Sequence, residues 1–202
     1  MMQLVGNPAS PFVRKVRVML LETGQEDEVE MITAATSPTN PAPEAVAANP
    51  IKKIPALIRP EGCTLYDSRV ITRYLDARAD AGLYKETRVW EVLTLEATAD
   101  GLMDAAVLMV YEGRVRPENM QYEGWIDAQW GKVEGALDAL ESRWMSHLRG
   151  PLDAGQIAVG CALGYLDFRH GERNWRKGRG ALDDWFAAFS QRESMVATQP
   201  AG

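Results

Sequence analysis

Three short pairs in the first third of this sequence have residue types and spacing suited to chemistry. Ser10-Pro11 is the first. Serine is a favoured residue just before a helix, and proline fits the first helical position, so a helix should begin here with a hydroxyl at its amino end. Asp67-Ser68 is the second. It opens another helical pattern, and the free N–H groups and the dipole at such a start favour an anion. Capping alone accounts for that pair as readily. Ile54-Pro55 is the third, a proline entering a strand, which is disfavoured unless the backbone makes a cis bond or an edge turn.

Other reactive types are scattered. Cys63 and Cys161 form no C-x-x-C pair, so neither a dithiol centre nor a structural zinc site is spelled, and both read as inert small hydrophobes. His147 and His170 fall near helix ends, where surface positions are expected, and neither has a further ligand at metal-binding spacing; no metal is expected. No His–Asp pattern stands beside Ser10, which argues against a covalent serine nucleophile.

The elements that would position these residues differ between the two parts of the chain. Met2–Gly6 reads as a buried strand ended by Gly6-Asn7-Pro8. A helix follows from Ser10 to Glu22, then a strand over Glu28–Thr33. Residues 34–50 are rich in Pro and Ala, a loop with at most one short helix near Glu44–Ala48. Ile54–Arg59 and Cys63–Tyr66, joined by Pro60-Glu61-Gly62, have a hairpin pattern, and the helix opened by Asp67-Ser68 should run to about Arg78. The order βαβ–(α)–ββα is that of a thioredoxin-like α/β domain, with a hinge between Ala79 and Lys85. The domains are expected at residues 1–80 and 85–202.

The second part reads as all-helical. Thr87–Tyr111 is one long helix. Ile126, Trp130, Val133, Leu137, Leu140 and Trp144 recur at helical spacing, which makes one face of another helix core. Asp153–Phe168 is apolar nearly all round, as a central buried helix should be, and Asp153-Ala154-Gly155-Gln156 has capping-box spacing. The basic run from Arg169 to Arg179 reads as a solvated interhelical loop.

The 202 residues carry 22 Lys plus Arg against 28 Asp plus Glu, a net charge of −6. That balance argues against general nucleic-acid or anionic-membrane binding. A hydrophobic fraction of 46% supports a core without disulfide or metal staples. The start MMQLVGNPASPFVRK lacks the pattern of a signal peptide, and Ala154–Leu166 is too short an apolar stretch to span a bilayer, so a cytoplasmic location with reduced thiols is expected.

SPFVRKVRV, NPIKKIPAL and LYDSRVITRYL, followed by ADGLMDA, the Trp125-to-Trp144 helix and CALGYLDFR, stand in the order and spacing of the glutathione transferase superfamily. The chain resembles that family, and its bacterial members in particular, over almost its entire length. Two positions depart from the usual pattern. Asp153-x-x-Gln156 replaces a Ser/Thr-x-x-Asp box, and Asp67-Ser68 replaces Glu-Ser; both keep the acceptor chemistry.

The resemblance implies glutathione as co-substrate, a homodimer and a role in detoxification. It implies that Ser10 donates a hydrogen bond to the glutathione sulfur and stabilises its thiolate at a helix start. Pro55 would be cis and Ile54 would offer its main-chain groups to the cysteinyl part. Lys53 would pair with the glycyl carboxylate, while Ser68 and Asp67 would take the γ-glutamyl carboxylate and ammonium. By helix placement, Phe12, Leu108 and Tyr111 would line the pocket for the electrophile. Relatives that exchange disulfides carry Cys where Ser10 stands, which disfavours a glutathione-dependent reductase or isomerase. A non-catalytic interaction protein on the same fold is the other alternative, disfavoured by the presence of Lys53, Asp67 and Ser68.

Overall fold

Strand β1 (Met2–Gly6) is the middle of a three-stranded sheet. It pairs in parallel with β2 (Val29–Thr33), Met2 opposite Val29, and antiparallel with β3 (Ala56–Ile58), Val5 opposite Ala56. The computed structural model describes residues 1–200. Side chains alternate across the sheet, as the period of two requires. Leu4 joins Val13, Val16, Leu57 and Ile71 in the main core, under α1 (Pro11–Glu22) and α3 (Ser68–Ala79). Val5 joins Ala34, Ala45, Ala48 and Ala56 in a smaller cluster on the other face, beneath α2 (Pro43–Ala48). The expected hairpin is shorter than its pattern: Leu57 and Leu65 exchange two backbone hydrogen bonds of 2.9 Å, and no second strand follows. One step away the Arg59 guanidinium, rather than a backbone group, takes the Cys63 carbonyl, which ends the ladder.

The rest is helical: α4 (Val89–Val115), α5 (Glu123–Ala139), α6 (Met145–Leu148), α7 (Ala154–His170), α8 (Gly180–Phe189) and α9 (Glu193–Ala197). A π-turn, Leu140–Trp144, joins α5 to α6. Val133, Leu137 and Leu140 of the apolar stripe are fully buried, while Ile126, Trp130 and Trp144 are half-buried towards its ends. The main core is continuous between the halves, running from Leu4 and Val13 through Leu95 and Met103 to Ile157 and Leu163.

Helix α7 is the centre of this arrangement. Asp153 Oδ1 accepts from the Gln156 N–H at 3.1 Å, and Gln156 Oε1 accepts from the Asp153 N–H at 3.2 Å, the reciprocal box its spacing suggests. Gln156 Nε2 also donates to the carbonyls of His147, Leu148 and Gly150. So the box fixes the α6–α7 turn as well as the helix start. Helices α4 and α7 run in the same direction, with Gly155 against Leu95 near one end and the His170 ring bonded to the Ala106 carbonyl near the other.

Both histidines differ from the surface placement expected of them. Asp153 Oδ2 lies 2.7 Å from His147 Nε2, and Arg88 Nη2 lies 2.9 Å from Nδ1, which makes the ring a link between the start of α4 and the start of α7. His170 is 5% exposed. The basic run is also more ordered than a solvated loop. Arg176 pairs with Asp167 and Asp183, Arg179 pairs with Asp138, and Trp175 is buried. No described helix is long and apolar enough to cross a membrane.

Candidate functional site

Chain direction brings the three sequence pairs together. Strand β1 ends at Gly6, and the loop that follows leads to α1. Because β3 is antiparallel to β1 and starts opposite Val5, Ile54-Pro55 lies beyond the same end of the sheet. The segment through Leu65 is antiparallel to β3, so Asp67-Ser68 emerges at that end too. Three loops and two helix starts therefore share one edge, against the faces of α4 and α7. A larger open groove of about 500 Å³, lined by Met1, Met2, Arg59, Tyr74 and Arg78, lies at the opposite end of β1 and holds none of these residues.

Ser10 is the N-cap of α1, with its Oγ 3.4 Å from the Val13 N–H as acceptor. That contact uses an oxygen lone pair and leaves the hydroxyl proton free to be donated. Asn7 shapes the approach: its Oδ1 accepts from the Ala9 N–H at 2.9 Å and its carbonyl from the Ser10 N–H at 2.9 Å. Ser10 lines a tight crevice with Ala9, Pro11, Arg14, Cys161, Tyr165 and Pro200, between the two domains. Arg14 is buried, donating to the Met195 carbonyl at 3.0 Å and lying 3.4 Å from Thr198 Oγ1. It forms no ion pair among the described residues. Its guanidinium fits because residue 164 is glycine; a Cβ there would stand 2.3 Å from Nη1. Burial pushes the Cys161 thiol up to about 11, which leaves it protonated and unreactive at neutral pH.

Asp67 caps α3, its Oδ1 3.0 Å from the Arg69 N–H, and its Oδ2 pairs with Arg69 Nη2 at 2.8 Å. Partial burial works against the charged carboxylate, but the Arg69 hydrogen bonds and charge outweigh it and hold its pKa below the usual range. Ser68 is 2% exposed, and its hydroxyl bonds to no other described residue. The N–H groups of Ser68 and Val70 lie in the first turn, without intrahelical acceptors. An acceptor-rich anion placed there meets a hydroxyl and two N–H donors.

Ile54 precedes Pro55 through a cis peptide, and its own N–H and C=O take no backbone partner among the described residues. Lys53 is exposed beside it. Across the cleft, Asp104 of α4 is held above the usual carboxylate range by burial, against the opposing charge of Lys53. Phe12 is half-buried at the start of α1, and Leu108 and Tyr111 lie on α4, the first exposed and the second half-buried. None of these three touches the Ser10 crevice; its inner wall is Cys161 and Tyr165 of α7 instead.

Beneath the edge lies a charged cluster that reading the sequence missed. Lys15 is 1% exposed, and its Nζ stands 2.7 Å from Asp100 Oδ1 and 3.0 Å from Glu96 Oε1. Glu96 Oε1 also accepts from the Tyr84 hydroxyl at 2.9 Å, and Thr72 Oγ1 is 2.8 Å from that hydroxyl. Burial alone would lower the Lys15 pKa, but Asp100 and Glu96 outweigh it and hold the ammonium charged. Burial, then the Glu96 charge, pushes the Tyr84 phenol far up, so it stays a donor. Asp100 Oδ2 reaches Arg69 Nε at 3.7 Å, which connects the buried cluster to the Asp67 cap. Among the described residues no group of three or more His, Cys, Asp or Glu is arranged to hold a metal.

Residues 9–78 match the family described as glutathione S-transferase, N-terminal domain, and residues 123–188 match glutathione S-transferase, C-terminal domain. The chain is 34% identical over 204 residues to the uncharacterized GST-like protein YibF of Escherichia coli (strain K12), covering 98% of each. A glutathione transferase family member from Pseudomonas fluorescens Pf-5, solved with bound glutathione, is 44% identical with a TM-score of 0.96, each chain covered 100%. A structure from the same organism with bound S-(propanoic acid)-glutathione superposes with a TM-score of 0.91, at 44% identity and 100% coverage of each chain.

Proposed function

The chain belongs to the glutathione S-transferase family, and on that premise we propose that it conjugates the thiolate of glutathione to electrophilic small molecules. The observation that carries this reading is Ser10: a hydroxyl with a free proton, at the start of a helix, on a crevice between the domains. A sulfur there receives a hydrogen bond and the positive end of the α1 dipole, both of which favour the thiolate. The Arg14 guanidinium, buried on the same crevice without a carboxylate, adds to that potential.

The remaining parts of glutathione find partners of matching chemistry. The γ-glutamyl carboxylate takes the Ser68 hydroxyl and the α3 N–H groups, and the ammonium takes Asp67. The cysteinyl backbone pairs with the free N–H and C=O of Ile54, and the glycyl carboxylate with Lys53. The sulfur then attacks the electrophilic carbon; a leaving group departs with its electron pair, or an activated double bond takes up a proton from water. Ser10 does not become covalently modified.

Glutathione and an S-substituted glutathione bound to the Pseudomonas proteins support the same ligand class here. A serine rather than a cysteine at position 10 favours conjugation over disulfide reduction. The protein further acts as a homodimer of two-domain subunits divided at residues 1–80 and 85–202, in the cytoplasm, in detoxification.

Calorimetric titration with glutathione, followed by an assay with a reactive aryl halide, tests the proposal. Saturable binding with turnover above the uncatalysed rate is expected. Binding without turnover of any electrophile would favour the interaction-protein reading, and reduction of mixed disulfides in its place would favour a reductase.

A further inference from the structure

The crevice beside Ser10 holds a cation with no opposite charge among the described residues. Arg14 is buried. Its Nη2 donates to the Met195 carbonyl at 3.0 Å, and its Nε lies 3.4 Å from Thr198 Oγ1, whose own proton goes to the Ser194 carbonyl. Its Nη1 has no hydrogen-bond partner among the described residues, and none of their carboxylates stands within ion-pair distance of the guanidinium. Taking a guanidinium out of water costs free energy that two neutral acceptors return only in part. The next residue shows the usual solution, since Lys15 is buried against Asp100 and Glu96.

Helix α1 sets where this charge stands. The Arg14 N–H donates to the Ser10 carbonyl at 3.0 Å, so the two residues are one helical turn apart. Helical side chains lean back towards the amino end, which for Arg14 is the end that carries Ser10. Both residues line the same crevice, of about 150 Å³. A sulfur held at Ser10 is therefore within roughly 10 Å of the guanidinium, about two helical turns. The inner wall is neutral: on α7, burial pushes the Cys161 thiol up to about 11 and the Tyr165 phenol up to about 12. At Cys161 burial dominates, and Arg14 is the foremost charge drawing the thiol back down, so a sulfur on this crevice already senses the guanidinium.

We propose that Arg14 is the counter-charge of the glutathione thiolate, a cation that α9 holds beside the Ser10 hydroxyl and that the bound sulfur neutralises. The inference rests on the transferase reading and deepens it, assigning to the same site a group that acts through its field rather than by a hydrogen bond. It also gives the short helix α9 a role, because the Met195 carbonyl and the Thr198 hydroxyl aim the guanidinium.

Two variants of the full-length protein test this, with thiolate absorbance against pH as the readout. Arg14→Gln keeps a hydrogen-bond donor and removes the charge, whereas Arg14→Lys keeps a cation. At roughly 10 Å and an effective dielectric of about 20, loss of the charge should raise the pKa of bound glutathione by about one unit, or about tenfold less thiolate below both values. Arg14→Lys should fall between Arg14→Gln and the wild type. S-methylglutathione has no thiol proton, so both variants should bind it within about twofold of the wild type by calorimetry. Coincident thiol pKa values in the wild type and Arg14→Gln would overturn the inference, and so would an Arg14→Lys value as high as that of Arg14→Gln. A variant that loses S-methylglutathione as well would make Arg14 a structural member of the site and overturn it too. Failure of the wild type to bind either ligand refutes the transferase reading, whereas binding with an unmoved thiol pKa refutes this inference alone.

Discussion

Replacing Lys15 with methionine should expose how strongly the buried cluster couples the two domains. The substitution keeps most of the side-chain volume and removes only the cation. At the observed separations of 2.7 Å to Asp100 and 3.0 Å to Glu96, the gross attractions are about 6 and about 5.5 kcal/mol at an effective dielectric of about 20. Much of this is offset by removing three charges from water, so the net value of the cluster is small. Loss of one partner is different, because Glu96 then remains buried without a cation and Asp100 keeps only Arg69, at 3.7 Å. Glu96 already has one buried oxygen, Oε2, with no partner. The expected cost at pH 7 is about 3–5 kcal/mol. For a chain of this size that lowers Tm by roughly 6–20 °C.

The pH dependence separates this explanation from a packing defect. Without Lys15 the carboxylates have folded-state pKa values raised above their unfolded ones, so the native state binds more protons at neutral pH. Such groups destabilise the fold as pH rises and cost less as it falls. Urea unfolding of the wild type and Lys15→Met at pH 7 and pH 5 measures this, and the gap between them should narrow at pH 5. Lys15→Met/Glu96→Gln/Asp100→Asn should recover part of the loss at pH 7. A cost below about 1 kcal/mol at pH 7, or a gap that does not change with pH, would refute the reasoning.

Three further outcomes are expected. Ser68→Ala should cost roughly 1.5–3 kcal/mol of glutathione binding, about tenfold or more in Kd, by calorimetry; unchanged affinity would leave Ser68 a structural residue only. Asp153→Ala should cost about 0.5–2 kcal/mol in urea unfolding, towards the upper end because it also strips the partner from His147, with glutathione affinity nearly unmoved. Burial lowers the His170 pKa, so the unfolded state takes up a proton that the native state refuses. Wild-type stability should therefore fall as pH drops below about 6.5, with a smaller slope in His170→Gln by thermal melts at pH 7.5 and 5.5; identical slopes would count against this.

Most of the fold was legible because its signals are local. Ser10-Pro11, Asp67-Ser68 and Asp153-x-x-Gln156 announce helix starts within four residues, and each is an N-cap in the structure. The strand patterns at Met2–Gly6 and Glu28–Thr33 depend on nothing further along the chain, and the strands form at Met2–Gly6 and Val29–Thr33. What escaped detection depends on distant partners. The carboxylates that neutralise Lys15 are 81 and 85 residues away, on another helix. A signal did exist: Lys15 lies on the apolar stripe of α1, while Glu96 and Asp100, four apart, sit among Leu95, Ala99 and Met103. Charges at core positions on two helices suggest each other as partners. Arg14 gave less warning, since the space for its guanidinium comes from Gly164. Position near a helix end was a poor guide for His147 and His170, because Asp153 and the Ala106 carbonyl draw both rings inward.

The direct test of the central claim is the pKa of the glutathione thiol on the protein, read from thiolate absorbance against pH for the wild type and Ser10→Ala. A hydrogen bond to a thiolate contributes roughly 1.5–3 kcal/mol, or about one to two pKa units. The variant should bind glutathione with nearly the wild-type affinity, show a thiol pKa raised by that amount, and regain part of its lost turnover at higher pH. Coincident pKa values in the two proteins would mean that Ser10 does not activate the sulfur.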